Sequence, residues 1–278
     1  MELTTTTGLD AIIDLALAED LGAGDITSQA TIPADRRCVA VIFAKAPGVL
    51  AGVDVVRSVY RAIDPDVHVE ILLADRTPIT PPLDLITLEG RARSVLAGER
   101  TALNLLGRMC GVATATREYV DAIAGSGARI LDTRKTMPGL RTLDKYAVAC
   151  GGGVNHRMGL YDAFLIKDNH LKVAGGVNQA VALARAAHPE LPITVEVENL
   201  DQLREAVSCA PARIMLDNMP VDVTREAVAI VAGRAVVEAS GGMTLANIRQ
   251  VAHTGVDVIS VGAITHSARW LDVSMEVL

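Results

Sequence analysis

The second half of the chain alternates short apolar runs with helical patterns, and this alternation restricts the possible folds more than any other feature. Six runs rich in Ile and Val are typical of buried strands: ARILDT (128–133), DAFLIKDN (162–169), ITVEVEN (193–199), ARIMLDN (212–218), AVVEASG (235–241) and VDVISVG (256–262). Amphipathic patterns separate the later runs, and Asn199 and Pro220 mark helix starts. Such a βα repeat needs parallel strands and right-handed crossovers, so it predicts an α/β barrel or a doubly wound sheet.

The first hundred residues lack this alternation. RRCVAVIFAKA (36–46), VHVEIL (67–72) and DLITLEGRARSVL (84–96) read as longer strands, with a helical pattern only at 54–63. We therefore expect an N-terminal α+β sandwich over residues 1–109 and the parallel α/β domain over 110–264. A helix over 97–125, broken near Gly111, joins them, and the prolines at 78, 81 and 82 mark a surface turn.

The composition excludes several classes of protein. Half of the 278 residues are apolar but only 3% are aromatic, and the net charge is −7, which argues against nucleic-acid binding. No apolar run reaches the roughly 18 residues that a membrane span needs, and the N-terminal MELTTTTGLD lacks the basic and apolar segments of a signal peptide. The four cysteines lie far apart, so we expect reduced thiols in a cytoplasmic protein, not disulfides or a zinc site.

DTRKTMPGLR (132–141) begins a basic segment. Between residues 129 and 172 there are eight Lys and Arg against four Asp, a net charge of +4, so the rest of the chain carries −7 − 4 = −11. A solvated surface accounts for many such segments. However, cations at the end of a buried strand need an anionic partner, either a local carboxylate or a ligand.

Polar residues follow every predicted strand of the second half. Parallel α/β folds bind ligands at the carboxyl ends of their strands, and these ends supply cations, carboxylates and glycine turns: Arg134, Lys135, Lys167, Asp168, His170, Glu196, Glu198, Asp217, Asn218, Glu238, Ser240, Gly241, Gly242, Ser260 and Gly262. The loop CGGGVNHRMG (150–159) adds His156 and Arg157 beside glycines that permit close approach of a ligand. Six polar strand ends in succession predict one site.

The residue types indicate the chemistry of the ligand. Arginine binds carboxylates in bidentate fashion, whereas Glu196 and Asp217 among the cations indicate a divalent metal or ribose hydroxyls. The last two glycine turns, at Gly241 and Gly262, suit a phosphate monoester. The chain has neither a Walker A loop nor GxGxxG, which argues against a nucleoside triphosphate or a dinucleotide.

Each residue also has a structural explanation that the sequence leaves open. Strand alternation places Lys167 on the face of Leu165, toward the interior, but Lys167 can instead pair with Asp168 or extend to the surface. Glu196 can form a structural ion pair, and Asp217 can cap the next helix. The glycine segments can be simple turns, and the basic loop can be flexible.

Eight segments, in order and over nearly the whole chain, resemble quinolinate phosphoribosyltransferases: EDLGAGDIT (19–27), GERTALN (98–104), DTRKTMPGLR (132–141), KYAVACGGGVNHRMGLYDAFLIKDNH (145–170), VEVEN (195–199), MLDN (215–218), EASGG (238–242) and GVDVISVGAITHS (255–267). The segment 145–170 is the most specific, and its KDNH ending favours this family over the related molybdenum-utilisation homologue. The proline-rich turn at 78–82 departs from the family pattern, which has a glycine-bearing turn there.

The resemblance implies that quinolinate and phosphoribosyl pyrophosphate give nicotinate mononucleotide, pyrophosphate and CO2 in NAD biosynthesis, with Mg2+ as cofactor. It implies an open, TIM-like α/β barrel and an N-terminal sandwich completed by residues 265–278. It also implies a homodimer whose active sites are shared between subunits.

The resemblance further assigns roles to individual residues. Quinolinate is bound by Arg134, His156, Arg157, Lys167 and the partner subunit's Arg100. The catalytic residues are Lys135, toward the pyrophosphate, and Glu196 and Asp217, toward the ribose hydroxyls and Mg2+. The 5′-phosphate is held by Ser240, Gly241 and Gly262. Without the resemblance, the sequence leaves open whether Arg100 is a solvated surface residue, forms an ion pair with Glu99 or has a role in the site.

Two other functions fit part of the sequence. An aldolase-type barrel would use Lys167 as a Schiff-base nucleophile, which borohydride trapping with a carbonyl substrate would reveal. That function leaves Glu196, Asp217 and both glycine turns unused. A non-enzymatic anion-binding protein would bind quinolinate but release neither CO2 nor pyrophosphate.

Overall fold

The computed structural model describes residues 8–278. The elements of the first half are α1 (Leu9–Leu21), α2 (Ile26–Thr31), β1 (Arg37–Ala44), β2 (Gly48–Val49), α3 (Val53–Ile63), β3 (His68–Ile71), β4 (Pro78–Ile79), β5 (Leu83–Arg91), α4 (Ala92–Ala122), β6 (Arg129–Leu131) and α5 (Arg141–Cys150). Those of the second half are β7 (Phe164–Ile166), α6 (Asp168–Ala174), α7 (Val177–Ala187), β8 (Ile193–Val197), α8 (Leu200–Ser208), β9 (Arg213–Asp217), α9 (Val221–Val231), β10 (Val236–Ser240), α10 (Ile248–Ala252), β11 (Val258–Ser260), α11 (Ala263–His266) and β12 (Val273–Val277).

Two expectations from the sequence concern a signal peptide and membrane-spanning helices. The signal-peptide prediction rests largely on residues 1–7, which lie outside the described residues. Within residues 8–278, none of the helices combines the length and the apolar character that a membrane crossing requires.

Among the described residues, the first compact unit contains 8–117 together with 137–152 and 267–278. Its centre is an antiparallel sheet in the order β12-β1-β5-β3, in which Ile42 of β1 lies opposite Met275 of β12. Helix α3 buries Val55, Val56 and Val59, which lie along one face at helical spacing. The last strand of the chain thus belongs to the sheet of the first unit.

The long helix α4 differs from the predicted helix. It begins at Ala92 instead of residue 97 and continues through Gly111 without a break. Gly111 serves a different purpose, because a Cβ atom there would lie 2.1 Å from the carbonyl oxygen of Arg269. The expected boundary between residues 109 and 110 falls inside α4, and the first unit extends to Arg117.

The second compact unit contains residues 118–136 and 153–266. Its six strands are all parallel and lie in the order β6-β11-β10-β9-β8-β7, with β6 and β7 at the two ends. This confirms the six predicted strands and the open, TIM-like barrel. Helix α7 buries Val177, Ala180, Val181 and Ala184, an apolar stripe of the kind that covers a parallel sheet.

The helix starts and the strand register bring the strand ends together. Asn199 is the N-cap of α8 and accepts hydrogen bonds from two backbone N–H groups, and α9 begins directly after Pro220, as predicted. Ser240, at the end of β10, lies opposite Asp217, at the end of β9. Because neighbouring strands end at the same level, their polar end residues face one common space.

Candidate active site

A cavity of about 660 Å³ opens at the carboxyl ends of the parallel strands. Its lining includes ten of the eleven predicted site residues: Arg134, Lys135, His156, Arg157, Lys167, Glu196, Asp217, Ser240, Gly241 and Gly262. The eleventh, Arg100, is not part of this lining. Its side chain is 63% exposed on α4, 3.9 Å from that of Glu99. The structure therefore confirms the single cluster at the strand ends, and the individual roles stay predictions.

The two acidic residues occupy the same side of neighbouring strands. Glu196 on β8 lies opposite Met215 on β9, and Asp217 follows two residues later, so the side chains of all three point into the cavity. Burial raises the pKa of the Glu196 carboxyl; Lys167 partly offsets this effect, whereas the charge of Asp217 adds to it. The two carboxylates thus form one acidic edge of the cavity.

Lys167 points into the cavity, as strand alternation predicts. Its Nζ lies 3.3 Å from Oε2 of Glu196, whereas Asp168 pairs with Lys172 at 3.0 Å. The alternative pairing of Lys167 with Asp168 is therefore wrong. The ion pair considered for Glu196 does form, but it forms inside the cavity.

Asp217 does not cap the helix that follows it. Helix α9 has no side-chain cap, and Oδ2 of Asp217 instead accepts a hydrogen bond of 2.9 Å from the side-chain amide of Asn218. The carboxylate is consequently held at the edge of the cavity by its neighbour. The sequence pattern had left both arrangements open.

The basic loop between residues 155 and 163 is anchored by two carboxylates. The backbone N–H of His156 donates to Oδ1 of the buried Asp132 at 2.7 Å. Asp162 accepts hydrogen bonds from the N–H groups of Met158 and Gly159 at 2.6 and 2.9 Å. Because several backbone groups are fixed in this way, the loop presents its side chains to the cavity in a defined arrangement, unlike the flexible loop considered above.

Arg157 is a cation with an unsatisfied donor. Its Nη1 donates to the carbonyl oxygen of Ala163 at 3.0 Å, but its buried Nε has no hydrogen-bond partner among residues 8–278. Burial and the neighbouring Arg134 both lower the pKa of the guanidinium. Buried donors are nearly always paired in native proteins, so this one indicates an acceptor that comes from outside the chain.

Glu238 has a larger part in the site than the sequence indicated. Its carboxylate is fully buried; Oε1 accepts from the Ser260 hydroxyl, Oε2 accepts from Nη1 of Arg213 at 2.9 Å, and Nε2 of His156 lies 3.5 Å from Oε2. Burial alone would raise the pKa of this carboxyl, but the three partners lower it below its ordinary value. The available signal was its position two residues before Ser240, on the same face of the strand.

The two predicted phosphate turns are closely packed. Gly241 has a φ of +95°, and a Cβ atom there would lie 2.0 Å from Oδ1 of Asn218. A Cβ atom at Gly262 would lie 3.2 Å from Cδ of Lys135 and 3.1 Å from the His266 ring. Glycine at these positions lets polar side chains lie against the turns, which therefore do more than reverse the chain.

The carboxylates can hold a metal only with help from a ligand. Residues 8–278 contain no cluster of three or more His, Cys, Asp or Glu side chains able to bind a metal ion. Mg2+ prefers one or two carboxylates together with water and phosphate oxygens. Glu196 and Asp217 therefore fit a Mg2+ ion that arrives with a phosphorylated substrate.

Comparisons with known proteins agree with this geometry. Family models described as the N-terminal and C-terminal domains of quinolinate phosphoribosyl transferase match residues 25–110 and 112–276. The nicotinate-nucleotide pyrophosphorylase (carboxylating) of Mycobacterium leprae is 47% identical over 267 residues, 94% of each chain. A probable enzyme of the same name from Bacillus subtilis is 42% identical over 270 residues, 97% of this chain and 93% of its own.

A solved structure supports the same assignment. The nicotinate-nucleotide pyrophosphorylase from Francisella tularensis aligns with a TM-score of 0.94 at 38% identity, over 97% of this chain and 96% of its own. Both compact units and the strand ends described above are thus within the aligned region. The chain belongs to the quinolinate phosphoribosyl transferase family.

Proposed function

We propose that the cavity transfers the phosphoribosyl group of phosphoribosyl pyrophosphate to quinolinate, with release of pyrophosphate and CO2. This reaction makes nicotinate mononucleotide, which is a precursor in the biosynthesis of NAD. The observation that carries the proposal is the combination of the buried, unbonded Nε of Arg157 with an acidic edge and two glycine turns in one cavity. Relatives in plants bear the name quinolinate phosphoribosyltransferase (decarboxylating), which describes this chemistry.

The cations bind the dianionic quinolinate. Arg134, His156, Arg157 and Lys167 line the cavity together and hold the two carboxylates, which orients the ring nitrogen toward the ribose. The ring nitrogen is already a nucleophile, so no covalent intermediate with the protein is needed. The contribution of these side chains is therefore mainly orientation.

The carboxylates act on the ribose. As the bond from C1′ to pyrophosphate breaks, positive charge develops on the ribose, and Glu196 and Asp217 stabilise it and bind the hydroxyls. Lys135 neutralises charge on the departing pyrophosphate. A Mg2+ ion held by Glu196 and Asp217 would supply further positive charge to the phosphate groups.

The glycine turns hold the 5′-phosphate. Ser240 ends β10 and Gly241 follows it, while Gly262 follows the neighbouring strand β11, so both turns lie on the same side of the cavity. The two glycines have no side chain of their own, so their backbone groups can approach a phosphate. This fixes the ribose while its C1′ reacts.

Decarboxylation follows from the chemistry of the ring. Once the ring nitrogen is bonded to C1′ and positively charged, CO2 leaves from the adjacent carbon, and the electron pair of the broken bond stays on that carbon, where the positive nitrogen stabilises it. A proton then replaces the carboxylate on that carbon. No oxidant or reductant is required.

We also propose that the active site is completed by a second copy of the chain. Arg100 is largely exposed, its only described partner is Glu99 at 3.9 Å, and it belongs to the GERTALN segment shared with the family. In a symmetric dimer each subunit would lend this arginine to the other.

The four cysteines are all unpaired, which supports the further proposal of a cytoplasmic protein.

Product analysis tests the reaction against its rivals. Purified protein is incubated with quinolinate, Mg2+ and phosphoribosyl pyrophosphate, and nicotinate mononucleotide is quantified by chromatography, with EDTA and omission of each substrate as controls. We expect product only when both substrates and Mg2+ are present. Borohydride trapping of Lys167 with a carbonyl substrate, without nucleotide formation, would instead support the aldolase-type function. Binding of quinolinate without product would support the anion-binding protein.

A further inference from the structure

We infer that Glu238 is a positioning residue that fixes the orientation and the tautomer of the His156 imidazole, and through it the backbone of Arg157. Glu238 lies in the buried interior of the barrel, and His156 lines the cavity above it. The inference deepens the proposed function, and its kinetic test rests on that function. Its spectroscopic test does not.

A hydrogen bond to Nδ1 defines the tautomer of His156. Nδ1 accepts a hydrogen bond of 2.7 Å from the backbone N–H of Arg157, so Nδ1 carries a lone pair and not a proton. The ring proton therefore lies on Nε2, which faces Oε2 of Glu238 at 3.5 Å. Nδ1 thus makes a hydrogen bond and Nε2 an ion-pair contact, and a flipped ring would lose both contacts.

Glu238 is suited to hold the imidazole because it is itself held firmly. Arg213 and Ser260 bind its two oxygens from neighbouring strands, and the carboxylate is fully buried. Arg213 also balances the charge of Glu238, so Glu238 can stay ionised beside a neutral imidazole. A rigid, ionised acceptor beneath Nε2 gives the ring one orientation.

The consequence for the site lies at Arg157. The imidazole lies between Glu238 and the backbone N–H of Arg157 and contacts both. The backbone N–H of His156 itself donates to Asp132. Displacement of the ring would release that N–H and move the guanidinium whose Nε awaits an anion. Glu238 therefore affects quinolinate binding without reaching into the cavity.

A double-mutant cycle separates this role from a purely structural one. We expect Glu238→Gln to lower kcat/KM for quinolinate by about 10- to 100-fold, the range for partners that orient a functional histidine. KM for phosphoribosyl pyrophosphate should stay unchanged. In the His156→Gln background the same change should lower kcat/KM by less than about 3-fold, because interacting residues are not additive.

Arg213→Gln is the matched control. It weakens the same buried ion pair but leaves the acceptor for His156 in place, so we expect a smaller loss of kcat/KM for quinolinate than from Glu238→Gln. Independent losses from Glu238→Gln and His156→Gln that multiply in the double variant would overturn the inference. So would equal kinetic losses from Arg213→Gln and Glu238→Gln.

Nitrogen NMR of the histidine side chains tests the tautomer directly, including in protein that turns over no substrate. In protein labelled with 15N-histidine, the His156 signals are assigned by their loss in His156→Gln. We expect a protonated Nε2 and an unprotonated Nδ1 in the wild type and in Arg213→Gln, with altered signals in Glu238→Gln. A wild-type ring protonated on Nδ1, or signals that do not respond to Glu238→Gln, would refute the positioning role whatever the reaction.

Discussion

Discrimination between quinolinate and nicotinate depends on the cations of the cavity. Nicotinate lacks the carboxylate adjacent to the ring nitrogen, but both acids lead to the same product. Of the cavity cations, Lys167 already has Glu196 at 3.3 Å, whereas the buried Nε of Arg157 has no acceptor among the described residues. With nicotinate, the Arg157 donor stays unsatisfied while it is covered by the ligand. We therefore predict strong selection for quinolinate.

The size of the effect follows from the burial of this group. Leaving one member of a buried, hydrogen-bonded charge pair without its partner costs about 2–5 kcal/mol. Since each 1.4 kcal/mol is about a factor of ten, kcat/KM for nicotinate should be lower by roughly 30- to 4,000-fold. An exposed cation would give a far smaller ratio, because water would replace the missing carboxylate.

Steady-state kinetics with each acid, at saturating phosphoribosyl pyrophosphate and Mg2+, measure this ratio. Arg157→Met is the matched control: it should reduce kcat/KM for quinolinate more than for nicotinate, so that the ratio shrinks. Comparable values of kcat/KM for the two acids in the wild-type protein would refute the assignment of these cations.

Four further outcomes are expected. Asp217→Asn should lower turnover at least about 100-fold in a folded protein, and turnover near that of the wild type would exclude its electrostatic role. Arg100→Ala and Asp217→Ala, unfolded and refolded together, should regain roughly one quarter of wild-type activity, because one site of each mixed dimer is intact; inactive, verified mixed dimers would exclude shared sites. Asp144→Ala should lower the free energy of unfolding in denaturant by about 3–5 kcal/mol, because it breaks the buried ion pair with Arg108 at 2.7 Å, and a loss below about 1 kcal/mol would contradict this. Because burial raises the pKa of Glu196, kcat/KM should begin to fall, as the pH is lowered, at a pH above 4.5, the ordinary pKa of a glutamate. A wild-type pH profile that falls only at or below pH 4.5 would argue against an essential Glu196 carboxylate.

The barrel and the cluster of polar residues at its strand ends were predictable because each parallel strand can be recognised from its own short segment of sequence. A strand such as β8 is buried on both faces, so it reads as a continuous apolar run, and Glu196 stands out within it. Once the strands are parallel, their carboxyl ends meet, and the polar residues that follow them share one cavity. This reasoning predicted that the ten residues would lie together, and they line one cavity.

Other features depend on contacts between distant parts of the chain. Gly111 resembled a helix break because nothing near it in sequence reveals the close approach of Arg269. Helix α5 was missed because its buried face includes Asp144 and Lys145, which interrupt the apolar periodicity, and the partner of Asp144 is Arg108 on α4. Such polar residues look solvated until the fold supplies their partners.

Glu238 shows the same limit inside the site. Its strand position was visible, but its role depends on Arg213 at the start of β9 and on the loop that carries His156. These residues are separated by tens of positions in the sequence. Only the folded barrel brings them close to one another.

The ratio of CO2 to pyrophosphate tests the central claim most directly. Quinolinate labelled in the carboxylate adjacent to the ring nitrogen is incubated with the protein and Mg2+, with and without phosphoribosyl pyrophosphate, and both products are measured in the same sample. We expect one CO2 for each pyrophosphate when both substrates are present, and no CO2 from quinolinate alone, because the ring must first become positively charged. CO2 released without phosphoribosyl pyrophosphate, or quinolinate bound with neither product formed, would contradict the proposed reaction.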